Sequence, residues 1–180
     1  DLRRRLGQDY NGLVLASMPP YGQRATIAFG TAYRLRMHLM QLDTGYALAQ
    51  ARIHVGTLAA GSTAKAAIYL YDGASKPNVV RLIPGTEAEF SSATTGAKTT
   101  DLARTVKLEK GSLVFLCAIG SDALAAVAGG SSVDRTYRTY TYDLASMVLP
   151  KEIAFDALTL GVQVITFDIL YISELGSRIL

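Results

Sequence analysis

The chain has no tryptophan, one cysteine, two histidines and five prolines among its 180 residues, and each scarcity closes off a line of explanation. With Cys117 alone, an intrachain disulfide is impossible. Its setting, Leu113-Val114-Phe115-Leu116-Cys117-Ala118-Ile119, reads as a buried structural thiol, because free cysteine is among the most buried residue types. A cysteine nucleophile would want a histidine partner, and the spacing of His38 and His54 offers none. Both histidines fall on the polar sides of alternating strands, so two surface histidines are expected and a metal site is not.

Charge is also sparse. Charged residues make up 18% of the chain against 49% hydrophobic ones, so there is material for a core and no signature of disorder. The net charge of +3 is mild. Much of the excess lies in Arg3-Arg4-Arg5 and in scattered strand arginines, so nucleic acid is not the expected partner. No apolar run approaches the ~20 residues that span a bilayer, and membrane insertion is not expected. The start lacks the apolar centre of a signal peptide; beginning without methionine, it suits a processed or trimmed product.

Catalytic patterns are missing too. There is no Gly-x-Ser-x-Gly, no phosphate loop and no zinc spacing, so neither enzyme activity nor a cofactor is expected. Glu87 and Glu89 lie on one strand face, which could mimic an acid/base pair. Beside Pro84-Gly85 and a Ser/Thr-rich loop they read instead as a solvated edge. Asp72 with Asp122 or Asp134 could offer loop oxygens to calcium, but no Asp-x-Asp-x-Asp run supports it.

Strand signals are what the chain does have. From Gln50 to Tyr71 two strands are joined by a small-residue loop. Gln50, Arg52 and His54 alternate with Ala51, Ile53 and Val55, the period of a half-buried strand. Thr57 to Ser62 breaks the pattern, Ala66 to Tyr71 resumes it, and Asp72-Gly73 closes it as a turn. Earlier, Tyr33, Leu35, Met37 and Leu39 alternate with Arg34, Arg36 and His38, a long strand with one solvated face. Asp43-Thr44-Gly45 reads as the turn of a hairpin to the strand Tyr46–Val55. Ser112–Ile119 is the most apolar strand, and Gly129-Gly130-Ser131-Ser132 reads as a flexible surface loop. Val162 to Ile172 is strongly β-prone, with a bulge near Phe167-Asp168. Residues 1–22 stand apart: a basic cluster, an apolar piece around Leu13 and Leu15, then Pro19-Pro20, which forbid helix. They read as an extended arm that leads into a domain over 23–180, either a flexible tail or, as its apolar piece favours, docked. Short strands, frequent glycine turns and no helical periodicity give an all-β antiparallel sandwich of roughly 8 to 10 strands, jelly-roll-like.

Gly61-Ser62, Ala67-Ile68-Tyr69, Asp72-Gly73 and Pro77, followed by Leu108-Glu109-Lys110-Gly111-Ser112-Leu113-Val114-Phe115-Leu116, resemble β-sandwich domains of bacteriophage virion proteins, including tail fibres. The resemblance covers roughly residues 46–128. It departs from the pattern at Lys76-Pro77-Asn78, where Leu-Pro-Gly is more typical, and at Val114-Phe115, where Tyr-Trp is more usual. It implies a non-enzymatic structural protein of the virion, on tail, fibre or capsid. Its partners would be other virion proteins and further copies of the chain, a trimer before other sizes. The attachment arm would use Arg3, Arg4, Arg5, Leu13, Leu15, Pro19 and Pro20. A different class of function is a glycan-binding module for host surface sugars. Sandwich folds stack sugars on exposed aromatics, and Tyr137, Tyr140 and Tyr142 are the best cluster for it, although a packed tyrosine ladder on the sheet is the plainer reading.

Overall fold

Alternating and apolar segments become strands throughout the computed structural model. The described residues are 14–16, 23–28, 31–42, 44–57, 61–74, 76–91, 94–122, 126–132, 138–161, 164–167 and 169–173. In chain order the strands begin with β1 (Val14–Ala16), β2 (Gln23–Ala28), β3 (Arg34–Gln41), β4 (Tyr46–Thr57), β5 (Thr63–Asp72), β6 (Val79–Leu82), β7 (Ala88–Ser91) and β8 (Gly96–Leu108). They continue with β9 (Leu113–Gly120), β10 (Ala126–Ser132), β11 (Arg138–Asp143), β12 (Glu152–Ala154), β13 (Thr159–Leu160), β14 (Val164–Phe167) and β15 (Ile169–Ser173). One 3-10 turn, Phe155–Ala157, lies between β12 and β13.

The strands form two curled antiparallel sheets that approach a half-barrel. The first contains β1, β15, β4, β10 and β14, with β2 on β10 and β8 on β4. The second runs β12-β6-β5-β9-β3-β11-β13, with β7 on β5. The all-β sandwich expected from the strand spacing is what the chain forms; its jelly-roll subtype stays an expectation. The fifteen described strands outnumber the 8 to 10 expected partly because short β1, β12 and β13 add at sheet ends and partly because two edges are interrupted. At one, β6 and β7 both pair with β5 and are separated by Pro84-Gly85. At the other, β14 pairs with β10 and β15 with β4. The expected bulge near Phe167-Asp168 falls at this change of partner; Asp168 itself lies outside the described residues.

Two expectations need correction. No hairpin joins β3 to β4: β3 pairs with β9 and β11 in the second sheet, whereas β4 pairs with β8, β15 and β10 in the first. The chain crosses between sheets at Leu42, whose N–H donates to the Ser112 carbonyl at 2.9 Å and whose carbonyl accepts from Gly111 N–H at 2.8 Å. Alternation tells which face of a strand is buried and says nothing about its neighbour. Nor is Gly129–Ser132 a loop. It is the second half of β10, paired on one side with β2 and on the other with β14. Ladder bonds on both sides override a composition that is poor in strand formers.

The core has two layers. Between the sheets lie Leu48, Ile53, Val55, Ile68, Phe90, Val114, Leu116 and Tyr171. On the far side of the second sheet lie Leu35, Met37, Tyr69, Val80, Phe115, Ile119, Tyr140 and Ile153. β9 therefore has buried side chains on both faces; only Leu113 is exposed, which explains its unbroken apolar run. Each such side chain contributes about 1.5–3 kcal/mol when fully buried.

Residues 144–161 form a strap over that far side. Its attachments are single bonds spread along its length: Leu144 N–H to the Tyr33 carbonyl (3.0 Å), Leu82 N–H to the Lys151 carbonyl (2.8 Å), Phe155 N–H to the Asn78 carbonyl (3.0 Å) and Gly161 N–H to the Thr139 carbonyl (2.8 Å). Lys65 Nζ donates to the Met147 carbonyl at 3.1 Å and Tyr69 Oη to the Pro150 carbonyl at 2.9 Å. Short pairings of β12 with β6 and β13 with β11 complete it.

Thr86 ties the layers together. Fully buried, it accepts from Ile68 N–H at 3.0 Å through its hydroxyl, which also lies 2.8 Å from the Ile83 carbonyl. Its own carbonyl accepts from the Tyr171 hydroxyl, across from the first sheet, at 2.8 Å. The bulge that places Thr86 turns at Gly85, with φ of +89°; a Cβ there would lie 3.0 Å from Arg104 Nε, so both backbone and space favour glycine. Arg104 in turn donates to the Pro84 carbonyl at 3.0 Å, and Thr100 Oγ1 to the Glu89 carbonyl at 3.2 Å, which draws the β8 edge of one sheet to the β7 edge of the other.

Candidate functional site

The expected attachment arm enters the described structure as β1. Val14, Leu15 and Ala16 pair antiparallel with Ile172, Tyr171 and Leu170, and β1 is the end strand of its sheet. Three residues of this stretch thus lie as an added strand at the end of the sheet. Arg3, Arg4, Arg5, Leu13, Pro19 and Pro20 lie outside the described residues.

The tyrosine cluster resolves differently from an exposed platform. Tyr137 lies outside the described residues. Tyr140 is 7% exposed and belongs to the core beneath the strap, edge-on to Phe115 with centroids 5.6 Å apart and tilted against Phe155 at 5.5 Å. Tyr142, half-buried, packs on the same layer. Tyr71 joins the group through Phe155 at 4.8 Å. The reason is register: Tyr140 and Tyr142 pair with Met37 and Leu35, the apolar side of β3. A sugar stacked on Tyr140 would have to displace the strap.

The remaining candidates separate cleanly. Glu87 and Glu89 are exposed, and Glu89 lies 3.4 Å from Lys65, a solvated edge as read from sequence. Asp72 holds Arg81 at 2.6 Å and accepts from Ala74 N–H at 3.2 Å, closing the turn at Gly73. Among the described residues no group of three His, Cys, Asp or Glu is placed to hold a metal ion. Cys117 is fully buried, and burial pushes its thiol well above its ordinary range. His54 is exposed, but His38 is only 4% exposed, which corrects the expectation of two surface histidines.

His38 is buried because the inner end of β3's polar side faces the layer between the sheets. Arg36 and His38 pair with Ala118 and Leu116 of β9, which belong to the layer between the sheets. Across the other edge, Arg34, Arg36 and His38 pair with Asp143, Thr141 and Thr139 of β11. Six polar side chains thus line the inward face of one β-ladder, while the inward face of the neighbouring β5–β9 ladder is apolar. Exposure falls along them. At the outer end Arg34 and Asp143 make a two-point pair, Nε to Oδ1 at 2.6 Å and Nη2 to Oδ2 at 3.0 Å, with side chains 34% and 64% exposed. Arg36 and Thr141 are half-buried, and Thr139 is buried beside His38. Arg34, through its hydrogen bonds, holds the Asp143 carboxyl below its ordinary value. Burial, and then the charge of Arg34, lower the Arg36 guanidinium. Tyr33, in the left-handed region with φ of 60°, turns the chain into β3 at this outer end.

Sequence reasoning missed this stripe because one strand shows alternation without showing what covers it. The available signal was a match: Thr139, Thr141 and Asp143 repeat on β11 the period-2 polar spacing of β3. No protein-family model matches the chain, and no curated protein is recovered as a relative.

Proposed function

We propose that the protein is a non-enzymatic structural component of a bacteriophage virion, a tail, fibre or capsid-attached subunit that assembles with other virion proteins and with copies of itself through its arm and sandwich faces. The observation that carries this reading is β1. An arm whose apolar piece adds to the end of a sheet is anchored there and can deliver its flanking residues to a neighbour, which is strand addition used for assembly. The two-layer core supports it by making a rigid unit suited to repeated contacts.

The arm is best tested by a cut that spares β1. Light scattering of the full chain beside a form lacking residues 1–12, over a wide concentration range, reads the effect on assembly. The expected result is a discrete oligomer, a trimer, for the full chain. The shortened form should fall to monomer and keep its melting temperature. A full chain that stays monomeric at every concentration, or the same oligomer without residues 1–12, would remove the arm from the assembly.

A further inference from the structure

We infer that the strap is a flap hinged along β11, which lifts from the second sheet while the sandwich stays folded and so controls access to the layer beneath it. The device is independent of the assembly role proposed above.

The first argument is how the strap is rooted. It leaves β11 after Asp143 and returns to the same strand, where Thr159 and Leu160 pair with Thr141 and Tyr140 and Gly161 N–H donates to the Thr139 carbonyl. Both feet thus stand on β11, while the tip, β12, pairs with β6 at the opposite side of the sheet. Four strand spacings, about 19 Å, separate feet from tip. The ladders of β6-β5-β9-β3-β11 join those strands to one another and survive removal of the strap. A loop with neighbouring feet and a distant tip can swing without disturbing the strands it crosses.

The second argument is the weakness of the hold. Within residues 144–161 only Leu149 and Ile153 are buried, and Val148 and Leu160 face solvent. The tip is fixed by three-residue β12, by the Leu82 and Phe155 amides, and by Lys65 and Tyr69 reaching up from β5 to the Met147 and Pro150 carbonyls. Lifting trades these bonds for bonds to water, a small net loss for each. The chief apolar anchor is Phe155, against Tyr71 at 4.8 Å and Tyr140 at 5.5 Å.

The third argument is what lies beneath. Cys117, fully buried and the chain's one cysteine, is in the layer under the strap with Tyr69 and Phe115, paired on either side with Met37 and Ala67. The closed strap shields its thiol, so reaction of that thiol reads the open state with no added probe.

The test is the rate at which the full chain reacts with an aromatic disulfide reagent in excess, below the urea unfolding transition. The Cys117 thiolate attacks one reagent sulfur, a mixed disulfide forms, and the other half leaves as a thiolate read by its absorbance. We expect reaction in native buffer, with a rate that climbs far less steeply with urea than the population of unfolded chain, because lifting the strap exposes little surface. Phe155→Ala should speed it by about tenfold or more. Ile53→Val, in the layer between the sheets, lowers the urea midpoint and should leave the rate unchanged, since that layer stays packed when the strap lifts. No reaction before global unfolding overturns the proposal. So does a rate that rises in Ile53→Val in step with its lost stability, or a native rate in Phe155→Ala.

Discussion

The second sheet is covered on both faces by different means. One face meets a whole sheet, and its contacts are spread over many strands. The other meets the strap, residues 144–161, which pairs through only two short strands and otherwise holds on by single hydrogen bonds and an aromatic nest of Tyr71, Phe115, Tyr140 and Phe155. Equal burial thus comes with unequal connection. The inner face should open only when the whole domain unfolds, whereas the strap can open as a local unit.

Adjacent residues on β9 test this most severely. Phe115 faces the strap and Leu116 the first sheet, and both are essentially without exposure. Phe115→Ala should cost about 3–5 kcal/mol and Leu116→Ala about 2–5 kcal/mol in urea unfolding. Hydrogen exchange separates them. Phe115→Ala should speed exchange at Phe155 and Gly161, whose amides hold the strap, well before the rest of the domain. Leu116→Ala should raise exchange everywhere together. Equal behaviour of the strap amides in the two variants would mean that the faces open as one.

A pair of tyrosine hydroxyls makes the same comparison at smaller scale. Tyr171 reaches between the sheets to Thr86, and Tyr69 reaches out to Pro150 in the strap. Tyr171→Phe leaves the carbonyl of a fully buried residue without that donor, at a cost of about 1–3 kcal/mol; Tyr69→Phe, whose acceptor lies in the half-buried strap, should cost about 0.5–1.5 kcal/mol. Burial raises both phenols, Tyr171 and Tyr69, and the Cys117 thiol above their ordinary values. The unfolded chain loses these protons first, so stability is full below the ordinary thiol and phenol values, near 8.5 and 10, and falls as pH rises beyond them. Melting temperatures from neutral to alkaline pH should decline, and Tyr171→Phe should flatten the decline. An unchanged slope in that variant would remove Tyr171 from the cause.

Much of this architecture is legible in the sequence because burial leaves a local trace. The unbroken apolar run of β9 marks a strand covered twice, and the alternation of β4 marks a strand covered once. Pairing leaves no such trace. The register that seats Tyr140 against Phe115 joins residues far apart in the chain, and so does the crossing at Leu42 that sends β3 and β4 to different sheets. Gly129–Ser132 has loop chemistry and strand geometry because its partners supply the bonds. The polar stripe shows the same limit: Arg34, Arg36 and His38 alternate as a solvated face would, yet His38, at the inner end, is buried.

The smallest expected effect lies at the edge of the strap. Arg81 donates to Asp72 at 2.6 Å and to Glu152 at 2.9 Å, linking β5, β6 and β12 where the strap first pairs with the sheet. Its partners raise its own value, led by the hydrogen bond to Glu152. Geometry alone would make it a clamp. Yet the guanidinium is in water, where screening and side-chain entropy offset most of an ion pair's attraction. Arg81→Ala should therefore leave the melting temperature unchanged within error at physiological salt, and strap exchange should stay at the native rate. Accelerated exchange at Phe155 in that variant would show that charge at the rim, rather than the aromatic nest beneath it, keeps the strap closed.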